Sequence, residues 1–203
     1  MLTHPLPPPR APGGFSLVEL MTVVALMSLL LLAAIPSFTT WTRNATVRAA
    51  AAELQNALRT AQAEAVRRSR QVAFVLTNAT TDAADELTPD AAGTRWAIVA
   101  LPLLSNEESA VIEAGAVTDA ASGFNISGEA GVLCFNSAGR LVANSNLSFT
   151  DTACAAHPGL VSFTLDMAGA NKPLKVTVAP GGQVRLCDPA RTLSSSRPDG
   201  CPS

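Results

Sequence analysis

One carboxylate interrupts an apolar segment of membrane-spanning length. Glu19 lies in a run that continues from Met21 to Ile35 and ends before Pro36. An acidic residue near the centre of such a helix costs roughly 2.5–3.5 kcal/mol of insertion free energy, so it needs a compensating partner. Residues 15–35 would rise about 30 Å as a helix, which matches the hydrocarbon thickness of a bilayer. The sequence therefore predicts a spanning helix whose single acid takes part in a charge pair.

The residues around this carboxylate form a processing motif. Gly14 is followed by Phe15-Ser16-Leu17-Val18-Glu19-Leu20, which resembles the cleavage site of type IV prepilins and pseudopilins at every position. In that family a prepilin peptidase cuts after the glycine, the new N-terminal phenylalanine is N-methylated, and the fifth mature residue is glutamate. The resemblance implies that Gly14 and Phe15 are processed and that Glu19 acts in assembly. Pro36 falls where the family commonly has a helix-kinking proline.

Cleavage would supply a partner for the acid. Cutting after Gly14 creates an α-amino cation four residues before Glu19, on the same helical face. The resemblance implies that the partner amine belongs to the neighbouring subunit, so that the pair sets register in a helical filament. The sequence alone leaves an internal pair open. It also leaves open a Glu19 that is solvated at the level of the lipid headgroups.

Two features depart from the family pattern. The leader, residues 1–14, is rich in proline and has only Arg10 as a strong cation, whereas family leaders are usually more basic. Arg43 and Arg48 follow the apolar segment, so the count of positive residues does not by itself favour a cytoplasmic N-terminus. Orientation therefore depends on the cysteines and on the resemblance, which implies a single-pass protein of the bacterial inner membrane with a periplasmic C-terminal domain.

A competing targeting hypothesis is an ordinary secretory signal. Its cut would lie near Ala33 or Ala34. The apolar region of such signals is usually shorter and tolerates an internal glutamate poorly. The prepilin hypothesis therefore accounts better for the segment.

The cysteines indicate an oxidising compartment, because all of them lie in the distal half of the chain. They are Cys134, Cys154, Cys187 and Cys201. Four cysteines allow three pairings, and we favour the sequential one, since each bond then closes a short loop rich in Ser, Asn, Gly or Pro. The chain has no Cys-x-x-Cys pair and only two histidines, His4 and His157. We therefore expect neither a metal site nor a cofactor.

The elements that must position these residues divide the chain into four parts. We predict a leader at 1–14, a transmembrane and assembly helix at 15–36, an amphipathic helix at 37–70 and a periplasmic β-rich region with two disulfides at 71–203. The amphipathic helix is indicated by apolar residues at steps of three and four. These residues are Val47, Ala50, Ala51, Leu54, Leu58, Ala61 and Ala65.

After residue 70 the pattern changes to that of strands. Seven are predicted, at 72–76, 95–101, 110–114, 131–136, 160–166, 174–178 and 183–187. Turns are indicated at 137–139, 168–170 and 180–182 by their glycines. The predicted fold class is α+β, with a long N-terminal helix, its transmembrane half followed by an amphipathic half, packed on a C-terminal, largely antiparallel β-sheet domain.

Two hairpin segments indicate a subgroup within this family. Residues 134–140, Cys-Phe-Asn-Ser-Ala-Gly-Arg, and 182–187, Gly-Gln-Val-Arg-Leu-Cys, look like segments of the pseudopilin H and FimT/FimU group. Some FimT-like minor pilins bind DNA through a Gly-Arg-x-Arg motif, whose first arginine is Gln183 in this chain. Losing one phosphate contact weakens such binding. Arg185, Arg191 and Arg197 could still form a basic tail for DNA contact, although Asp188 and Asp199 dilute its charge.

The composition gives no support to an enzyme. The mature chain would have one histidine and no tyrosine, its cysteines are better explained as disulfides, and its net charge is −2. We interpret the chain as a minor pilin or pseudopilin, cut by prepilin peptidase and assembled with other pilins into a type IV pilus or a type II secretion pseudopilus, near the tip. The alternatives are a DNA-binding minor pilin acting in DNA uptake and a membrane-anchored enzyme.

Overall fold

The computed structural model describes residues 14–80, 83–104, 106–117 and 123–202. Apart from Gly14, the predicted leader lies outside these residues, and so do the side chains of residues 32–36. One helix, α1, runs over Leu17–Arg68. The chain divides into two compact units at Thr39 and Thr40, so the first part of α1 belongs to one unit and the remainder to the other.

The first part of α1 is apolar on every side. From Leu17 to Leu31 each side chain is exposed, and Glu19 is the one charged residue among them. α1 continues through Pro36 without a break in its assignment. Among the residues that the structure describes, no helix has the length and hydropathy of a membrane span. Residues 32–36 complete the span predicted from the sequence, and their side chains lie outside the description. That span therefore stays a prediction.

The second part of α1 buries one face, as predicted. All seven residues of the predicted stripe are at most 3 % exposed, and Ala57 joins them. Small alanine side chains allow the sheets to approach the helix closely, while leucine fills the remaining space. The helix ends at Arg68, after which Ser69 takes a positive φ of 51°. The Arg70 N–H then bonds to the carbonyl of Ala65 at 3.2 Å, which closes the last turn.

The described strands form two five-stranded sheets. The first sheet has the order β3-β2-β1-β5-β6, and the second has the order β10-β9-β8-β7-β4. Among the described strands every pairing is antiparallel except that of β9 with β10. The strands are β1 Val72–Thr77, β2 Arg95–Ala100, β3 Ala110–Ala116, β4 Phe124–Gly128, β5 Val132–Phe135, β6 Leu141–Val142, β7 Val161–Met167, β8 Leu174–Val178, β9 Val184–Thr192 and β10 Gly200–Cys201. A short 3-10 helix, Ala84–Glu86, follows β1.

All seven predicted strands are confirmed in position, and so is the α+β class. Three strands were missed. β6 and β10 have two residues each, and β4 contains Asn and Gly, which are disfavoured in strands. β9 also runs beyond its predicted end and includes Pro189. Proline is tolerated there because β9 no longer pairs with β8 past Cys187, so the backbone N–H that proline lacks is not needed for that pairing.

The core has two parts, divided by the first sheet. Phe74 and Leu76 of β1 face the large cluster that α1 and both sheets share, while Ala73 and Val75 face a smaller cluster. The smaller cluster contains Phe149 together with the Cys134–Cys154 disulfide. β1 is therefore buried on both faces, which explains its uninterrupted apolar sequence.

Two turns contact α1 at a single side chain. Gln62 donates a hydrogen bond from Nε2 to the carbonyl of Gly139 at 2.9 Å. Gly182, with φ 88°, lies against the same carbonyl: a Cβ placed on it would be 1.9 Å from the Gly139 oxygen and 2.4 Å from Gln62 Nε2. Both turns thus depend on a glycine at the point where they meet the helix.

Gly182→Ala is expected to lower the free energy of unfolding by about 2–4 kcal/mol, because it adds both backbone strain and a backbone clash. Gly181 provides the matched control, since a Cβ there meets nothing within 4 Å. Gly181→Ala should change stability by about 0.5 kcal/mol or less. Chemical unfolding of the two variants in mild detergent measures the difference, and equal stabilities would contradict this packing.

A surface ion pair should make the stability sensitive to acid. Arg70 donates hydrogen bonds of 2.7 and 2.9 Å to the two carboxylate oxygens of Glu107, and the Leu103 N–H adds a third at 2.9 Å. The bonds from Arg70, followed by that from Leu103, lower the pKa of Glu107 from 4.5 to about 2. The folded state therefore favours the ionised carboxylate more strongly than the unfolded chain does.

The contribution of Glu107 to stability is expected to be complete above pH 4.5 and to be lost as the pH falls from about 4.5 to about 2. Glu107→Gln should reduce the acid-dependent loss of unfolding free energy, measured by chemical unfolding at a series of pH values. Glu113→Gln, at an exposed position of β3, is the control. A Glu107→Gln profile that matches the wild type would disprove the effect.

Candidate processing and assembly site

The bond predicted to be cut lies outside the helix. Residues 14–16 are non-helical and exposed, and α1 begins at Leu17. Ser16 caps the helix, because its Oγ accepts a hydrogen bond from the Glu19 N–H at 3.2 Å and its carbonyl accepts one from Leu20 at 3.1 Å. The Gly14–Phe15 peptide bond is therefore in a segment that a peptidase could bind in extended form.

Gly14 is not required by the chain itself. A Cβ placed there would meet nothing within 4 Å. Glycine at this position is consequently not explained by packing or by a positive φ in this structure. A requirement for glycine would have to come from the enzyme that recognises the segment.

Glu19 lies in the first turn of α1, where a negative charge is favoured by the unpaired N–H groups of the helix end. Its side chain is exposed, and within the described part of the chain no cation lies within ion-pair distance of it. The other polar side chains nearby are satisfied locally: Thr22 donates to the Glu19 carbonyl at 2.9 Å, and Ser28 donates to the Val24 carbonyl at 2.8 Å. Glu19 is therefore the group in this turn that is available for an external cation.

The surface around Glu19 is a continuous apolar one. The large apolar side chains between Leu17 and Leu31 are 49–75 % exposed, so none of them is buried as a core residue would be. A helix that is apolar all round is normally buried in a membrane or among other helices. The arrangement provides an apolar surface with one acid at its beginning, which suits packing between helices in an apolar medium. Pro36 lies within α1, but its side chain is outside the description.

The cysteines are paired sequentially. Cys134 of β5 is bonded to Cys154 in the loop that covers the smaller core cluster, and Cys187 of β9 is bonded to Cys201 of β10. The second bond closes a separation of 14 residues. It ties the short strand β10 to the sheet and so holds the intervening loop.

The C-terminal arginines do not form one free basic tail. Arg191 forms ion pairs with Asp188, at 3.4 Å, and with Asp199. Arg185 donates to the Pro198 carbonyl at 3.2 Å. Arg197 is exposed and lies beside Arg191 in a groove that Arg185 does not line. Contact with DNA through these arginines stays a prediction, which the neutralised charge of Arg191 weakens.

This groove is a feature that the sequence did not reveal. It has a volume of about 890 Å³, and the charged side chains along it come from distant parts of the chain. Two of them, Arg48 and Lys172, lie outside the predicted tail. We call it the basic groove. Its charged residues are Arg48, Lys172, Asp188, Arg191, Arg197 and Asp199.

Asn44 fixes one wall of the basic groove. Its Oδ1 accepts hydrogen bonds from the N–H groups of Asn171 and Lys172, both at 3.1 Å, and its Nδ2 donates to Asn171 Oδ1 at 2.8 Å. The turn between β7 and β8 is thereby held against α1. No local sequence signal predicts this, since the partners are 127 residues apart.

Comparison with known proteins identifies the family. The family model for "Type II transport protein GspH" matches residues 50–197, and that for the "Prokaryotic N-terminal methylation motif" matches residues 10–35. No curated protein matches the chain significantly. The second match covers Gly14, Phe15 and Glu19 and implies processing by prepilin peptidase.

Three solved structures align with most of this chain, and each alignment includes most of the solved chain. The Pseudomonas aeruginosa PAO1 type IV minor pilin FimU is 19 % identical, with 79 % of this chain and 98 % of that chain covered and a TM-score of 0.49. Escherichia coli GspH is 12 % identical, with 71 % and 89 % covered and a TM-score of 0.44. The minor pseudopilin EpsH from the type 2 secretion system of Vibrio cholerae is 14 % identical, with 70 % and 95 % covered and a TM-score of 0.41.

The GspH model spans well over half of the sequence, and the methylation motif coincides with the non-helical segment and the first turns of α1. The protein therefore belongs to the GspH family of type II transport proteins.

Proposed function

We propose that this protein is a minor subunit of a type IV pilus or type II secretion pseudopilus, near its tip, that prepilin peptidase cuts after Gly14 and methylates at Phe15. The family is one of structural subunits rather than enzymes. The observation that carries the proposal is the apolar part of α1, which is exposed on every side and begins with one acid that has no cation at ion-pair distance among the described residues. Such a surface needs an apolar environment, and its acid needs a cation.

Before assembly, the first part of α1 is held in the bacterial inner membrane, and the domain formed by the second part of α1 and the sheets lies in the periplasm. The two disulfides support an oxidising compartment for that domain. During assembly the apolar surface packs against the corresponding helices of other pilins. The new α-amino group of one subunit pairs with Glu19 of the next, so that the charge pair fixes the register of neighbouring helices.

Site-specific photocrosslinking in the native host tests this proposal. A photoreactive residue replacing Leu26, in the exposed apolar surface, is expected to give covalent adducts with other pilin-like subunits, identified by mass spectrometry. The adducts should be absent from a strain without prepilin peptidase, in which the cut cannot occur. Adducts with lipid alone, or subunit adducts that persist without the peptidase, would contradict assembly through this surface.

A further inference from the structure

The basic groove carries a net positive charge that neither processing nor assembly uses. It has four cations and two carboxylates, whereas the whole chain has a net charge of −2. Both carboxylates, Asp188 and Asp199, bind the same residue, Arg191. Three exposed cations remain, and within the described residues none has a carboxylate at ion-pair distance. They are Arg48, Lys172 and Arg197.

These three cations are held at defined positions by the fold. Lys172 is fixed through its backbone by Asn44 of α1, as described above. Arg197 lies in a turn closed by two hydrogen bonds with Ser194, at 3.2 and 3.0 Å, within the loop that the Cys187–Cys201 bond secures. Arg48 projects from α1 itself. The groove is thus a built site to which three separate segments contribute.

The groove is also close in sequence to the apolar segment. Arg48 follows Pro36 by twelve residues, and the guanidinium of Arg43, seven residues after Pro36, lies against Gly169 in the same turn that holds Lys172. In a chain that leaves a bilayer at Pro36, Arg43 and Arg48 are the first charged residues after the membrane. Half-buried Leu174 and Leu186 line the same groove and offer contact for the stems of the cationic side chains or of a lipid.

We infer that the basic groove binds the phosphate headgroups of anionic phospholipids in the leaflet from which the chain emerges, an inference that rests on the proposed membrane insertion. Each Lys or Arg near an anionic surface contributes about 1 kcal/mol of attraction. Three cations suit one or two phosphate groups. Nucleic acid fits less well, because its binding depends on many phosphate contacts and Asp188 and Asp199 lie in the groove. Lipid binding also explains why the cations Arg43 and Arg48 follow the apolar segment.

The test uses the protein extracted from the membranes of its native host and reconstituted into vesicles of phosphatidylcholine, which contain a photoreactive phosphatidylglycerol or, separately, a photoreactive phosphatidylcholine. The groove variant is Arg48→Gln, Lys172→Gln and Arg197→Gln together. The control variant removes the same charge elsewhere in the domain, through Arg95→Gln, Arg140→Gln and Lys175→Gln, none of which lines the groove. Flotation and intact mass are measured on the same samples.

The phosphatidylglycerol probe is expected to label groove peptides of the wild type and the control, and labelling of the groove variant should fall by about tenfold or more. Equal labelling of both variants, or equal labelling by the phosphatidylcholine probe, would overturn the inference. The proposed function would still stand in that case if the protein floats with the vesicles and its mass shows the cut at Gly14. Displacement of the lipid label by short duplex DNA at physiological salt would overturn it in favour of a nucleic-acid site. Protein that is uncut or does not float would overturn both proposals.

Discussion

Glu19→Gln is expected to abolish incorporation into filaments while leaving the cut at Gly14 in place. Glutamine keeps the size and the hydrogen-bonding capacity of the side chain but removes its charge, so the amine of the neighbouring subunit would be buried without a partner. Removing one partner of a buried ion pair costs about 3–5 kcal/mol, which corresponds to roughly a hundredfold loss of incorporation or more. Quantification of the subunit in purified filaments, relative to the membrane pool, measures this loss.

Two matched variants make that result specific. Glu53→Gln removes an equal charge from the amphipathic part of α1, where the side chain is half-exposed, and should incorporate as the wild type does. Glu19→Asp keeps the charge on a shorter side chain and should incorporate to an intermediate extent. Normal incorporation of Glu19→Gln would show that the carboxylate does not set the register of assembly.

Gly14→Val is expected to leave nearly all of the protein uncut. The chain itself has room for a side chain at this position, since a Cβ meets nothing within 4 Å, so the fold should be unchanged. The block would arise in the peptidase, whose binding site must accept the residue before the cut bond. The intact mass of membrane-extracted protein is the measurement, because an uncut chain retains the residues of the leader.

Gly13→Val is the control for this change, since it adds the same side chain one residue further from the bond. It should be cut at a rate much closer to that of the wild type. If Gly14→Val were cut as completely as the wild type, the glycine would not be the recognition element and the assignment of the processing site would fail.

The sequence predicted those features that are local. The buried face of α1 from Val47 to Ala65 could be predicted because one face of a helix recurs with a period near 3.6 residues. β1 could be predicted from its continuous apolar run, which reflects burial on both faces. The processing motif is local for a different reason: an enzyme reads a short extended segment, so its residues must be adjacent.

The features that were missed depend on contacts between distant residues. β6 and β10 have two residues each, and their pairing is decided by the strands beside them rather than by their own composition. The basic groove escaped notice because Arg48 is far in sequence from Lys172 and Arg197, and the three are brought together by Asn44 and the Cys187–Cys201 bond. The ion pair of Arg191 with Asp199 likewise requires the closed loop between β9 and β10, whereas its pair with Asp188 is local.

Intact mass with N-terminal sequencing of the protein extracted from the membranes of its native host tests the processing pathway most directly. We expect a chain that begins at N-methylated Phe15, which would join the methylation motif to the exposed apolar helix in one assembly pathway. A chain that begins near Ile35, or that retains Met1, would contradict it.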